Sequence, residues 1–76
     1  MPTVRVIRSN SEVADSDLAA ALVAGAELDA DEANALVRTV AHHAPTVVEG
    51  PQMHEALLRQ IAAVLENHGY EVAFDA

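Results

Sequence analysis

The first part of the chain has a pattern of apolar and polar positions that predicts a strand followed by a turn. Thr3 to Arg8 mixes valine and isoleucine with arginine at near-alternate positions, which indicates a half-buried strand. Val4 and Val6 are expected to face the core, with Arg5 outward. Ser9 to Glu12 then carries side chains that compete for backbone hydrogen bonds, as is typical of a turn.

A first helix is predicted over Ser16 to Ala24, because Leu18, Leu22 and Val23 follow helical spacing among alanines. Its start offers N-cap candidates and a negatively charged first turn, formed by Asp15, Ser16 and Asp17. Gly25 directly follows the predicted helix and is expected to be its C-cap.

A second helix is predicted to start after Asp29, since Glu32 follows that residue at the spacing of a capping box. Its apolar stripe repeats at helical intervals and consists of Ala33, Leu36, Val37, Val40, Ala41 and Ala44. Pro45 ends the helix, because the residue before a proline is biased away from helical geometry.

The last third of the chain predicts a strand, a helix and a strand. Thr46 to Glu49 is a short β-branched run between Pro45 and Gly50. Pro51 suits the first position of a third helix, which begins around His54 and Glu55 and ends at Gly69. The apolar face of this helix consists of Met53, Leu57, Ile61, Val64 and Leu65. Tyr70 to Phe74 then alternates as a strand, with Tyr70, Val72 and Phe74 on one face.

This order predicts one α+β domain over residues 1–76, a two-layer β-α-α-β-α-β arrangement. A small three-stranded sheet is expected to carry all three helices on one face. If the last two strands are parallel, the connection between them should cross right-handed. A chain of 76 residues buries only about 60% of its unfolded surface, so we expect modest stability.

Charge and composition exclude several function classes. The chain has 12 acidic and 4 basic residues and a net charge of −8, which argues against nucleic-acid binding and against docking on anionic membranes. It has no cysteine, which excludes a disulfide scaffold, a thiolate nucleophile and a cysteine-based zinc site. No apolar run approaches the roughly 20 residues of a membrane span, and the charged start differs from a signal peptide. We therefore expect a cytoplasmic location.

The chain is lysine-free, since its four basic residues are all arginine: Arg5, Arg8, Arg38 and Arg59. Either the codon usage of a GC-rich genome or adaptation to a high-salt cytoplasm would produce this composition. Both explanations concern solubility rather than chemistry.

No catalytic or metal-ligating constellation is expected, and no cofactor. The serines lie outside any nucleophile-elbow sequence, the glycines are isolated, and the paired carboxylates sit at helix starts where capping explains them. The adjacent His42 and His43 point about 100° apart on a helix. His54 and His68 stand at opposite ends of the third helix, roughly 20 Å apart. We therefore predict a non-enzymatic protein without a bound metal.

Three short stretches resemble the ClpS-like superfold, which the C-terminal domain of the bacterial ribosomal stalk protein shares with the ClpS adaptor of ATP-dependent proteolysis. Glu32, Ala33, Leu36 and Val37 match the Glu-Ala-x-x-Leu-Val pattern of the stalk domain's second helix. Ala44-Pro45 and Glu49-Gly50 look like its Ala-Pro…Glu-Gly connection, and His68 to Val72 resembles its exit into the last strand. The stalk domain's lysine-rich segment is replaced by the acidic stretch Glu27 to Asp31, which argues against recruiting the same translation factors.

The resemblance to ClpS adaptors implies a site for the N-terminal residue of a substrate. Those adaptors use an asparagine–acidic segment after the first strand and a histidine late in the second helix. Asn10, Glu12 and His42 match those positions, with the Glu12 carboxylate facing the substrate amine. A one-residue shift of the second helix would instead place Ala41 at the histidine position, and Asn10 also fits a plain turn residue.

The sequence thus predicts a protein-binding adaptor or regulator whose partner is an AAA+ protease component, a ribosomal component or a peptide substrate. The alternative is a structural domain that forms a homodimer through alanine-rich helix faces and an edge strand, and that is adapted to high salt. A third hypothesis, a metal-binding regulator that uses the histidines, has weaker support.

Overall fold

The computed structural model describes residues 2–49 and 54–75, and it has the predicted α+β element order. The elements are β1 (Thr3–Arg8), α1 (Asp15–Ala26), α2 (Ala30–His42), β2 (Thr46–Val48), α3 (Glu55–Asn67) and β3 (Glu71–Asp75). The predicted strand at Thr46 is therefore confirmed, although it ends at Val48 rather than at Glu49.

The three strands form one antiparallel sheet in the order β2-β1-β3, so the first strand of the chain is the central one. β1 pairs with β2 through Arg5 opposite Val47, and with β3 through Arg5 opposite Ala73. A register shift near the end of β1 leaves Arg8 opposite Glu71. β2 and β3 run parallel to each other with β1 between them, so they meet the condition under which a right-handed crossover is expected.

The inner face of the sheet is buried and the outer face is open. Val4, Val6 and Val48 point into the core, whereas Arg5 and Val47 point out. α3 packs against β1 and β3, and α1 packs against α2 and α3, which builds the second layer on the inner face. The fully buried larger side chains of this layer are Leu18, Leu22, Val37, Val40, Leu58, Ile61 and Leu65.

The first helix is longer than predicted, and the predicted C-cap at Gly25 is wrong. α1 begins at Asp15 after the N-cap Ala14, and it ends at Ala26 with Glu27 as the C-cap in the left-handed region (φ 56°). Gly25 lies inside the helix, where a Cβ atom would come within 2.7 Å of Cγ2 of Val64 on α3. The glycine therefore allows two helices to approach closely rather than ending one of them.

The second helix is confirmed, but its predicted capping box is not formed. Asp29 is the N-cap, yet its side chain makes no capping hydrogen bond. The apolar stripe is buried as expected, with Ala33, Val37 and Val40 in the core and Leu36, Ala41 and Ala44 partly buried against it. α2 ends at His42, before Pro45.

The third helix begins at Glu55, with His54 as an N-cap whose Nδ1 accepts a hydrogen bond from the Leu57 backbone N–H (3.2 Å). The predictions for Gly50, Pro51 and Met53 lie outside the described residues. Leu57 on the predicted apolar face is only partly buried, whereas its neighbour Leu58 is fully buried.

The end of α3 is a Schellman motif, in which the chain turns back through a left-handed glycine. Gly69 has φ 83°, and its N–H donates to the Glu66 carbonyl (3.0 Å). The Tyr70 N–H donates to the Leu65 carbonyl (3.0 Å). Tyr70 thus belongs to the helix end rather than to the strand, contrary to the prediction, although it is buried on the core side as expected.

Candidate functional site

The turn after β1 is tied to the end of α3 by the side chain of Asn10. Its Nδ2 donates to the His68 carbonyl (2.9 Å), and its Oδ1 accepts from the Glu12 backbone N–H (3.1 Å). A Cβ atom at Gly69 would come within 2.5 Å of the same Nδ2, so this contact depends on glycine. Both polar atoms of the Asn10 side chain are thus engaged within the molecule, while the Glu12 side chain remains exposed.

His42 reaches a partner that sequence reasoning missed. Its Nε2 lies 2.7 Å from Oδ2 of Asp15, and both side chains are about half exposed. The contact joins the end of α2 to the first turn of α1. An acidic first turn was expected from the sequence, but nothing in the pattern indicates that a histidine 27 residues away meets it.

Tyr70 follows Gly69 at the end of α3, and it too was missed as part of the site. It is only 5% exposed, and burial raises the pKa of its phenol above the usual value of 10.0. The negative charge of Asp15 raises this pKa further, while the backbone of Asn10 opposes the shift. Asn10 and Glu12 thus lie in the turn before α1, and His42 reaches the first turn of α1 through Asp15.

Tyr70 is expected to make the domain sensitive to alkaline pH. Because its folded-state pKa is raised, the buried neutral phenol favours folding below about pH 10, and this contribution is lost as pH rises through the folded-state pKa. Urea unfolding of the wild type and of Tyr70→Phe should show the wild type losing stability relative to the variant above about pH 10. As the chain has a single tyrosine, phenolate absorbance measures the same pKa directly. A phenol pKa in the folded protein that does not exceed the usual value of 10.0 would contradict the prediction.

The outer face of the sheet holds a second candidate site, a shallow pocket between β1 and β2. Its volume is about 230 Å³, and it is lined by Arg5, Val6, Ile7, Pro45, Thr46 and Val47. Ile7 is 46% exposed and Val47 is 48% exposed, so the lining presents aliphatic surface to solvent. The Arg5 guanidinium does not dominate it, because its Nε is bound to Asp75 on β3 at 2.9 Å.

The described part of the chain holds neither a metal-ligand cluster nor an unpaired buried polar side chain. Among residues 2–49 and 54–75, no three histidine, aspartate or glutamate side chains come together in a way that could hold a metal ion. In the same ranges, no buried side-chain nitrogen or oxygen lacks a hydrogen-bond partner. None of the helices in this part is both long enough and apolar enough to cross a membrane.

Comparison with protein-family models, with curated proteins and with solved structures finds no match to this chain.

Proposed function

We propose that this domain is a non-enzymatic protein-binding module that acts as an adaptor or regulator through the outer face of its sheet. The observation that carries the proposal is the exposure of Ile7 and Val47 on that face, where both line the pocket. Of the three large apolar side chains that are exposed in the described residues, these two share one surface. Apolar surface that a small domain leaves open favours a protein partner.

The charge distribution supports the same face. The three strands hold two arginines and two acidic residues, Arg5, Arg8, Glu71 and Asp75. The helices and the segments next to them hold most of the acidic residues: Glu12, Asp15, Asp17, Glu27, Asp29, Asp31, Glu32, Glu55 and Glu66. The strands therefore have no net charge, whereas the helical layer is strongly acidic. A sheet without net charge does not repel a partner of either sign, whereas the acidic helical layer repels an acidic partner.

Capture with matched variants tests this proposal. Wild type, Val47→Lys and Val23→Lys are immobilised and exposed to native lysate at moderate and high salt, and bound proteins are identified by mass spectrometry. Val23 is 40% exposed on α1, so the two variants add the same charge at comparably exposed positions. We expect a protein that the wild type and Val23→Lys retain and Val47→Lys loses. Identical captured proteins on all three would contradict the proposal.

The resemblance to ClpS-like domains supports a second surface, at Asn10, Glu12 and His42. The element order is the one that the resemblance implies, and the three residues lie around the start of α1. In this version the exposed Glu12 carboxylate pairs with the α-amine of a substrate, and His42, which is bound to Asp15, supplies a second contact. An AAA+ protease component or a ribosomal component would then be a further partner, and the location would be cytoplasmic.

A peptide pair tests the second surface. The probe is a peptide with a free N-terminal leucine, and its control is the same peptide acetylated. We expect Glu12→Gln and His42→Ala to weaken binding of the free peptide at least about tenfold each, and the acetylated peptide to bind none of the proteins. Asn10→Ala combined with His42→Ala should abolish binding without unfolding the domain. Equal binding of both peptides to wild type and variants would remove Asn10, Glu12 and His42 from the site.

A homodimer is the alternative, and it is favoured by the outer sides of β2 and β3, which pair with no strand in the described part of the chain. Light scattering across a concentration series distinguishes it from the adaptor, because only the homodimer predicts a mass that rises with concentration.

A further inference from the structure

We propose that the outer edge of β2, which pairs with no strand among residues 2–49 and 54–75, binds an extended segment of a partner protein as a fourth strand. The segment has an aliphatic residue that lies beside Val47 and Ile7, and lysine or arginine residues that flank it. This inference rests on the proposed protein-binding function and names the class of partner.

The size of the outer face argues for a short segment rather than a second folded domain. The three strands have six, three and five residues, so their outer face is roughly 15 Å wide and about 10–20 Å long, or about 230 Å² of flat extent. A stable interface between two globular proteins buries about 800 Å² on each side. A single extended strand needs less side-chain surface, because it adds backbone hydrogen bonds along a free sheet edge.

The two edges of the sheet differ, and only β2 combines an open edge with the pocket. Thr46, Val47 and Val48 carry no charge, and Val47 presents its side chain to the outer face. At β3, the Arg59 guanidinium lies over the Phe74 ring, 4.4 Å from its centroid, and Arg5 is bound to Asp75. A cationic strand that added to β3 would be repelled by the positive charges of Arg5 and Arg59. At β2 this repulsion is weaker, because the Arg5 guanidinium is bound to Asp75 and so points towards β3.

Charge selects a basic segment over an acidic one and over a second copy. The chain carries a net charge of −8, so an approaching acidic segment or a second copy of the domain is repelled and a cationic segment is attracted. Glu49 is exposed directly after β2, where it can pair with a lysine or arginine of a strand that runs past Val48. The uncharged β2 itself then faces the aliphatic residue of the segment.

Nuclear magnetic resonance titration of the full chain tests this inference. The probe is a blocked Lys-Val-Lys-Val-Lys peptide, with Glu-Val-Glu-Val-Glu and Lys-Ser-Lys-Ser-Lys as controls. We expect the first peptide alone to shift the backbone amides of Thr46 to Glu49 and of Ile7. Shifts confined to the acidic helices, or equal shifts with the serine peptide, would show only non-specific attraction and overturn the inference.

Matched variants locate the contact. Val47→Lys is expected to weaken binding of the Lys-Val peptide at least about tenfold, while Val23→Lys, with the same change in net charge, changes it less than about twofold. Val47→Thr keeps a β-branched side chain without a charge, and we expect it to bind more weakly than the wild type and to fold if Val47→Lys does not. Equal affinities of Val47→Thr and the wild type would overturn the inference.

The outcomes separate this inference from the proposed function. If a captured protein depends on Val47 but the Lys-Val peptide does not bind, the basic-strand inference fails and the protein-binding function stands. If neither the captured protein nor peptide binding depends on Val47, both the basic-strand inference and the proposed function fail. A concentration-dependent dimer that Val47→Lys abolishes would assign the β2 edge to a second copy and overturn the inference.

Discussion

Leu22→Ala is expected to destabilise the domain by about 2–5 kcal/mol, the range for removing a fully buried leucine side chain. Leu22 is 0% exposed on α1, and this helix packs against both α2 and α3. The loss therefore leaves a cavity within the helical layer that holds the fold together. A domain of this length has a total stability of about 4–11 kcal/mol, so the variant loses a large share of it.

Urea unfolding followed by circular dichroism measures this effect. Val23→Ala is the control, because it removes aliphatic surface from the next residue of the same helix at a position that is 40% exposed. We expect the control to lie within about 1 kcal/mol of the wild type. Equal losses for the two variants would show that α1 does not pack as described.

Gly69→Ala is expected to destabilise the domain by about 2–3 kcal/mol, for two separable reasons. The left-handed backbone at Gly69 (φ 83°) costs an L-residue with a Cβ atom roughly 1–2 kcal/mol. The new methyl group also collides with Asn10 Nδ2, and the hydrogen bond that this atom donates to the His68 carbonyl is worth about 0.5–1.5 kcal/mol.

A double-mutant cycle separates the two reasons. Asn10→Ala removes both the amide and the collision, so Gly69→Ala should cost about 1 kcal/mol less in that background than in the wild type. The residual cost measures the backbone strain alone. Strictly additive losses would mean that Asn10 and Gly69 do not interact across the turn.

The local patterns were sufficient to predict the six elements and the buried stripe of α2. They failed where a residue's role is decided by a distant part of the chain. Gly25 was predicted as a helix end because glycine is common at that position. In the structure, glycine is needed at this position because Val64 of α3 leaves no room for a Cβ atom. Tyr70 alternates with Val72 and Phe74, so it was predicted as strand, but the hydrogen bonds of the Schellman motif place it at the end of α3.

The site was less predictable than the fold for the same reason. The contact of Asn10 spans 58 residues and that of His42 spans 27, so no local pattern indicates them. The outer-face pocket depends on strand order and register, which bring Ile7 and Val47 together. The sequence indicated Arg5 outward on β1, but it did not indicate which strand would lie on each side of β1.

The position of β1 in the sheet determines how the domain responds to mechanical force. Thr3 and Asp75 are paired residues, so the start of β1 and the end of β3 lie at the same end of an antiparallel ladder. Tension applied through these two ends loads the inter-strand bonds one after another, so the pair unzips instead of shearing all its bonds at once. A pull on the end of β3 therefore peels an edge strand away and opens the inner face of the sheet at low force.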